Sequence, residues 1–299
     1  MKKNTYSGIQ TTAIHAGEGP DPTTNASAPP IHMSSTFVSE EAAGFSAHDL
    51  TDDSPWLYAR WANPTVSMLE KKIAAIEGVE DALCTASGMA AATAIFLTFL
   101  QKGDHVIISD VSYAGVAELA RDTLPRFGIE TTFVDMADLE AVEAAMRKNT
   151  KLVHIETPVN PILRLTDVKA VKEITLKAGA LLSADCTFST PIGAKANALG
   201  IDLIMHSATK YLCGHGDAVG GVIAGSKSLI SRLRLEAGIH HGGVMSPFNA
   251  WLISRGVATL PLRMEAHQKN ATTLANWLEK HPSVTDVKYP GLESHPQYD

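Results

Sequence analysis

At 299 residues, with 45% hydrophobic and 19% charged side chains, the chain can bury a large core and hold more than one domain. A formal net charge of -7, with no basic run and no stripe of interleaved basic and aromatic residues, excludes a nucleic-acid surface. Residues 1–7 carry positive charge with no apolar stretch behind them, which predicts no signal peptide, and the longest apolar run, Gly88 to Leu100, is too short to span a bilayer.

Residues 1–62 are predicted to be irregular, because Gly17-Glu18-Gly19-Pro20-Asp21-Pro22 and Ala28-Pro29-Pro30 forbid long helices. So long a stretch without periodicity reads as a tail or as an arm that packs on another subunit. Pro64 opens a helix through Glu70, Lys71 and Ile76 that Gly78 ends. From Ala82 the patterns alternate: strands at 82–85, 105–109, 130–134, 151–156, 180–184, 202–206 and 219–224, helices at 89–100, 116–127, 138–148 and 167–179. That alternation predicts an α/β chain with a mostly parallel, doubly wound sheet. The seventh strand follows its predecessor through a loop alone and is free to run antiparallel. After about residue 258 comes a long amphipathic helix (262–278) and a strand (284–289), read as the start of a smaller α+β domain. The expected division is an arm over 1–62, a main domain over 63–258, and the beginning of a C-terminal domain over 259–299.

Two stretches end abruptly in ionisable residues: Leu181-Leu182-Ser183-Ala184-Asp185-Cys186-Thr187 and Ile204-Met205-His206-Ser207-Ala208-Thr209-Lys210-Tyr211. Each reads as a buried parallel strand whose carboxyl end opens into a crevice, where α/β proteins bind ligands. An aspartate at one end and a lysine at the other meet the needs of pyridoxal phosphate (PLP). That cofactor takes a lysine amine to hold it and a carboxylate to keep its ring nitrogen protonated. The plainer alternative is a solvated lysine and a capping aspartate. Thr85-Ala86-Ser87-Gly88-Met89 joins a strand to a helix through small residues, making a phosphate cup of backbone N–H groups and the Ser87 hydroxyl. The same spacing fits Ser87 as a simple N-cap. Ser207 and Thr209 add hydroxyls from the lysine-bearing loop. Tyr113, beyond the second strand, suits stacking on a planar ring, or is an ordinary half-buried tyrosine. Asn160, in the loop Glu156-Thr157-Pro158-Val159-Asn160-Pro161, suits donation to a ring oxygen, or is a turn residue. Cys84, Cys186 and Cys213 fit no zinc spacing and read as reduced core thiols of a cytoplasmic protein, and no HExxH occurs among the 12 histidines, so no metal is expected.

Together these segments resemble the Cys/Met-metabolism family of PLP enzymes, which includes cystathionine γ-lyase, cystathionine γ-synthase, methionine γ-lyase and the O-acylhomoserine sulfhydrylases. The resemblance runs from about Thr11 to the last residue. It is carried by Tyr58-Ala59-Arg60-Trp61-Ala62-Asn63-Pro64-Thr65, by Ala86-Ser87-Gly88-Met89, by the Glu156–Pro161 loop, by Asp185-Cys186-Thr187-Phe188-Ser189-Thr190-Pro191, and by His206-Ser207-Ala208-Thr209-Lys210-Tyr211 with Gly214-His215-Gly216-Asp217 after it. It implies an aminotransferase-like (fold type I) PLP domain and a homotetramer, a dimer of dimers with shared active sites. It further implies γ-elimination with C–S cleavage on cystathionine, homocysteine or methionine, or else γ-replacement. By the resemblance, Lys210, Tyr113 and Asp185 are the catalytic residues. Lys210 holds PLP and acts as base, Asp185 pairs with the ring nitrogen, and Tyr113 stacks on the ring and protonates a leaving sulfur. Ser87, Gly88, Met89, Ser207 and Thr209 hold the phosphate, with Tyr58 and Arg60 from the neighbouring subunit, and Asn160 and Thr187 complete the cofactor-binding set.

Gly115 stands where methionine γ-lyases carry a cysteine, as it does in cystathionine-handling members, which implies that methionine is not preferred. Met245-Ser246-Pro247-Phe248-Asn249-Ala250-Trp251 is similar to the sulfhydrylases and keeps γ-replacement open. The family's C-terminal portion, with the arginine that binds the substrate carboxylate, is expected beyond residue 299, so the chain reads as C-terminally truncated. A nicotinamide-dependent oxidoreductase would need GxGxxG after the first strand, which Ala86-Ser87-Gly88-Met89-Ala90 lacks. A relative that binds PLP or a partner without turnover is the non-enzymatic alternative.

Overall fold

The computed structural model describes residues 6, 8–39 and 54–298, so the expectations for 1–5, 7, 40–53 and 299 lie outside the described residues. In chain order the elements are α1 (Ile9–His15), α2 (Pro64–Glu77), β1 (Asp81–Thr85), α3 (Gly88–Phe99), β2 (His105–Ser109), α4 (Ala114–Glu118), β3 (Glu130–Val134), α5 (Leu139–Ala145), β4 (Thr150–Glu156), α6 (Val168–Ala178), β5 (Leu181–Asp185), α7 (Thr190–Gly193), β6 (Leu203–His206), β7 (Gly221–Gly225), α8 (Lys227–Leu233), α9 (Pro247–Val257) and α10 (Leu260–Glu279). They form two compact units. One comprises the described residues up to Phe99 with Leu203–Thr259, the other Leu100–Asp202 with the described residues from Leu260 onward.

In the first unit the strand order is β1-β7-β6, with both pairings antiparallel, the orientation left open for the last strand. The helix α2 starts where expected for a local reason: the Asn63 side chain accepts the N–H groups of Thr65 and Val66, and Pro64 fills the first turn. Gly78, at φ 72°, closes it in the left-handed conformation that favours glycine. The core holds Leu69 and Ile73 of α2, Ile95 and Phe96 of α3, Ile204 of β6 and Ile223 of β7, each fully buried.

The helix α1 departs from the irregular reading of the N-terminal residues. Seven residues are too few to be stable alone. Lys72, 0% exposed on α2, supplies what is missing. Its ammonium donates to the carbonyls of Ala13 and Ile14 at 3.0 Å each, two of the orphan acceptors at the end of α1, and to Glu18 Oε1 at 2.5 Å. Burial lowers the Lys72 pKa, and the bonded Glu18 carboxylate opposes that.

In the second unit the order is β5-β4-β2-β3, every pairing parallel. All five residues of β2 are buried, with Val106, Ile107 and Ile108 as an apolar centre between His105 and Ser109. Asp138 and Asp167 cap α5 and α6 through their side chains. Two expectations need correcting. The helix over 116–127 is three short pieces: α4, a wider π-turn over Leu119–Thr123, and a 3-10 turn over Leu124–Phe127. Pro125 has no N–H to continue an α-helical ladder, and the backbone tightens there. The run 284–289 is irregular and pairs with no strand among the described residues. Tyr289 instead reaches Thr272 of α10, hydroxyl to hydroxyl at 3.0 Å.

Candidate active site

Within the first unit, the loops after β1 and β6 touch. A Cβ built on Gly88 would lie 2.8 Å from the Ser207 Cβ and 3.0 Å from its hydroxyl oxygen, so only glycine lets the start of α3 approach Ser207 this closely. Gly221 of β7 is similarly confined, since a Cβ there would meet the Ser87 carbonyl at 2.1 Å. The Ser87 hydroxyl accepts the Ala90 N–H at 3.1 Å, so it does cap α3. Its own proton still makes it a donor. The first-turn N–H groups of α3, 12 residues long, have no intrahelical acceptor and carry the positive end of the helix dipole. Helix start, Ser87 and Ser207 together bring backbone N–H groups and two hydroxyls to one rim, drawn close by the missing side chain of Gly88. The chemistry suits a phosphate dianion.

Lys210 lies in the turn that follows, exposed, with its N–H bonded to Ser207 O at 3.1 Å. Thr209 is engaged locally: its hydroxyl exchanges hydrogen bonds with Gly220 N–H (3.0 Å) and C=O (3.2 Å), which fixes the turn. Met89 is half-buried on the first turn of α3. Tyr58 and Arg60 pack together, with the guanidinium 5.1 Å over the Tyr58 ring, and Arg60 donates to the Ile239 carbonyl of its own chain.

Within the second unit, Asp185 ends β5 directly opposite Glu156 of β4. It is 8% exposed, and its Oδ1 accepts the Thr187 N–H at 2.9 Å, which sets the carboxylate's direction. Tyr113 begins the turn into α4 with its ring 55% exposed, free of a core role. Asn160 is exposed in the loop after β4. His154, one pair earlier on the same face, bonds the Ser183 hydroxyl at 2.8 Å. Burial draws its pKa down to about 4, against the pull of Asp185. Glu156 is pushed up to about 7, first by burial and then by the Asp185 charge, while N–H bonds from Asn160 and Tyr113 act the other way.

Glu156 and Arg164 carry weight in this loop cluster that sequence reasoning missed. Arg164 pairs with Asp110 and, at 2.8 Å, with Asp135, the loops after β2 and β3. A signal existed for Glu156: a carboxylate closing the apolar run 152–155 is costly to bury without a job. Nothing comparable marked Arg164.

A fixed, buried carboxylate, an exposed ring, a rim of hydroxyl and N–H groups and an exposed lysine each sit at a strand's carboxyl end, the positions from which α/β folds bind ligands. Residues 10–299 match the family model described as Cys/Met metabolism PLP-dependent enzyme. A canavanine γ-lyase from Rhizobium leguminosarum bv. trifolii is 44% identical over 99% of this chain and 74% of its own length. An L-methionine γ-lyase from Fusobacterium nucleatum is 42% identical over all of this chain and 75% of its own. The solved cystathionine γ-lyase of Lactobacillus plantarum, complexed with L-serine, superposes with a TM-score of 0.91 at 35% identity, over 97% of this chain and 74% of that one. The chain belongs to the Cys/Met-metabolism family of PLP-dependent enzymes. Its fold is accordingly the α/β, aminotransferase-like fold of that family, its cofactor is pyridoxal 5'-phosphate, and its chemistry is that of the family's γ-lyases acting on amino acids. No helix among the described residues is long and apolar enough to cross a membrane.

Proposed function

We propose that the protein is a carbon–sulfur γ-lyase with cystathionine or homocysteine as preferred substrate, and that Lys210, Asp185 and Tyr113 carry the reaction. The observation that carries this reading is the close approach of Gly88 to Ser207, which suits a phosphate beside the loop bearing an exposed lysine. Bound PLP supplies an electron sink for the pair released at the substrate Cα. The chain's own residues do the rest. Lys210 would hold the cofactor and, with substrate bound, would accept the Cα proton. Asp185, buried and fixed by the Thr187 N–H, would keep a proton on the ring nitrogen. Tyr113 would give its phenolic proton to the sulfur of the departing γ-substituent. The phosphate falls to Ser87, Gly88, Met89, Ser207 and Thr209, with Asn160 and Thr187 toward the ring.

Relatives named for canavanine and methionine are about equally similar, so substrate preference is read from Gly115, which leaves the cysteine of methionine γ-lyases out. Comparing kcat/KM for cystathionine, homocysteine, methionine and canavanine, with and without a thiol acceptor, tests it. A clear methionine or canavanine preference overturns the assignment, and turnover only with acceptor makes the enzyme a γ-replacement transferase.

The assembly proposed is a cytoplasmic homotetramer in which Tyr58 and Arg60 serve a neighbouring subunit. The domains proposed are an arm over 1–62, a PLP-binding domain over 63–258 and the beginning of a C-terminal domain over 259–299. Support for an interface comes from apolar side chains of the arm, where Met33 is 65% and Val38 99% exposed. Three free, buried cysteines agree with a reducing compartment.

A further inference from the structure

One buried carboxylate joins the loops after β2 and β4. Glu156, 7% exposed, accepts the Tyr113 N–H on Oε2 at 2.7 Å and the Asn160 N–H on Oε1 at 3.0 Å. Its own N–H is held by the Ser109 hydroxyl at 3.2 Å. The two amides belong to the residues assigned above to stacking on the cofactor ring and to its polar edge. Any movement of this carboxylate moves both backbones at once. The second tie between these loops, from Arg164 to Asp110, lies nearer solvent, with side chains 21% and 37% exposed, and touches neither Tyr113 nor Asn160. A charged acceptor out of water, bonded to two backbone donors, is the stronger constraint.

We infer that Glu156 is a positioning residue, a single carboxylate that holds the Tyr113 and Asn160 loops in the geometry the reaction needs. The inference rests on the site assignment above for its catalytic meaning, though not for its geometry. The titratable group facing Glu156 is Asp185 across the strand pair on β5, with His154 two residues earlier on its own strand; Tyr113 meets it through the backbone N–H, and Asp110 is engaged by Arg164. Protonation converts one acceptor oxygen to a hydroxyl and weakens one of the two bonds, so the hold is firmest with Glu156 ionised.

Amide hydrogen exchange tests this on the cofactor-loaded protein and again after cofactor removal. Glu156→Gln keeps the side chain's size and one acceptor but turns the other oxygen into a donor facing an N–H. Glu156→Asp keeps the charge and shortens the reach. Both should cut protection at the Tyr113 and Asn160 amides by about 10-fold or more, with protection in the core strands unchanged. In the wild type, protection at these two amides should fall as pH drops through about 7, the value to which Glu156 is pushed. In Glu156→Gln it should be flat. Turnover should fall through kcat while KM stays near wild type. Unchanged protection at either amide, a pH profile shared by wild type and Glu156→Gln, or full kcat with both amides freed would each overturn the inference. Failure of the site assignment is seen separately, as a cofactor label on a lysine other than Lys210, which leaves the exchange result standing.

Discussion

At the scale of single residues, the second unit balances ionisable groups against burial. Asp185 and Glu156 end neighbouring strands as register partners, yet only one of them is assigned to the ring nitrogen. Asp185→Asn should cut turnover on the order of 100-fold or more while PLP affinity changes little, since the phosphate donors lie elsewhere. A near-native kcat in that variant sinks the role. Stability carries a second signature. The folded-state pKa of Glu156 is raised from 4.5 to about 7, so the folded protein holds more protons than the unfolded chain between those values. Its contribution is present below about 4.5 and is lost as pH rises toward 7. His154, lowered from 6.5 to about 4, works the other way: its contribution is present above 6.5 and lost as pH falls toward 4. Thermal unfolding of the wild type and Glu156→Gln at pH 5 and pH 8 separates the two. The variant should gain on the wild type as pH rises, and parallel curves would contradict the assignment. What the sequence concealed at this scale is partnership across distance. Lys72 and Glu70 look like surface charges of α2, but Lys72 holds α1 and Glu70 meets Arg234 at 2.9 Å, 164 residues away. Helical periodicity does not register such partners.

Among the elements, strand positions were legible to within a residue or two, because short runs rich in apolar and β-branched residues alternate with helical patterns and are bounded by turn residues. Helix ends were legible where a cap sits in sequence, as at Asn63, Asp138 and Gly78. What failed was whatever depends on tertiary neighbours. The helix α1 exists through Lys72, and the run 284–289 has polarity but no strand to pair with. Lys72→Met tests the first point. It leaves the α1 carbonyls without their donor and Glu18 with the Ser254 hydroxyl in place of a cation, and should cost about 3 kcal/mol, lowering the unfolding temperature by on the order of 5–10 °C. An unchanged unfolding temperature would mean that α1 is held by its apolar contacts alone. The site's elements depend equally on small residues. Gly88→Val should weaken PLP binding far more than it lowers the unfolding temperature, because the added carbons fill the space at Ser207. Equal PLP affinity in that variant would rule out the Gly88–Ser207 rim.

For the molecule as a whole, the sequence motifs pointed to the family that the comparison over residues 10–299 shows. Assembly was not legible in this way, since it depends on surfaces whose partner is another copy. In the single chain Arg60 is bonded to its own Ile239 carbonyl and stacked on Tyr58. The proposed exchange of arms asks that this guanidinium serve a neighbour's phosphate, for which a permanently charged, two-pronged donor is suited. Lys210→Ala and Arg60→Ala proteins should each be nearly inactive. Mixed, dissociated and reassembled, they should regain activity through sites that hold both residues intact. Recovery no greater than the average of the two would mean that Arg60 serves its own subunit.

The central claim is that Lys210, on the turn after β6, is the lysine that holds PLP. Borohydride reduction of the cofactor-loaded protein, followed by peptide mapping, measures this without reference to substrate or turnover. The pyridoxyl label should fall on Lys210, and Lys210→Ala should take up none. Label on Lys195 or Lys227, or undiminished label in Lys210→Ala, would contradict the account.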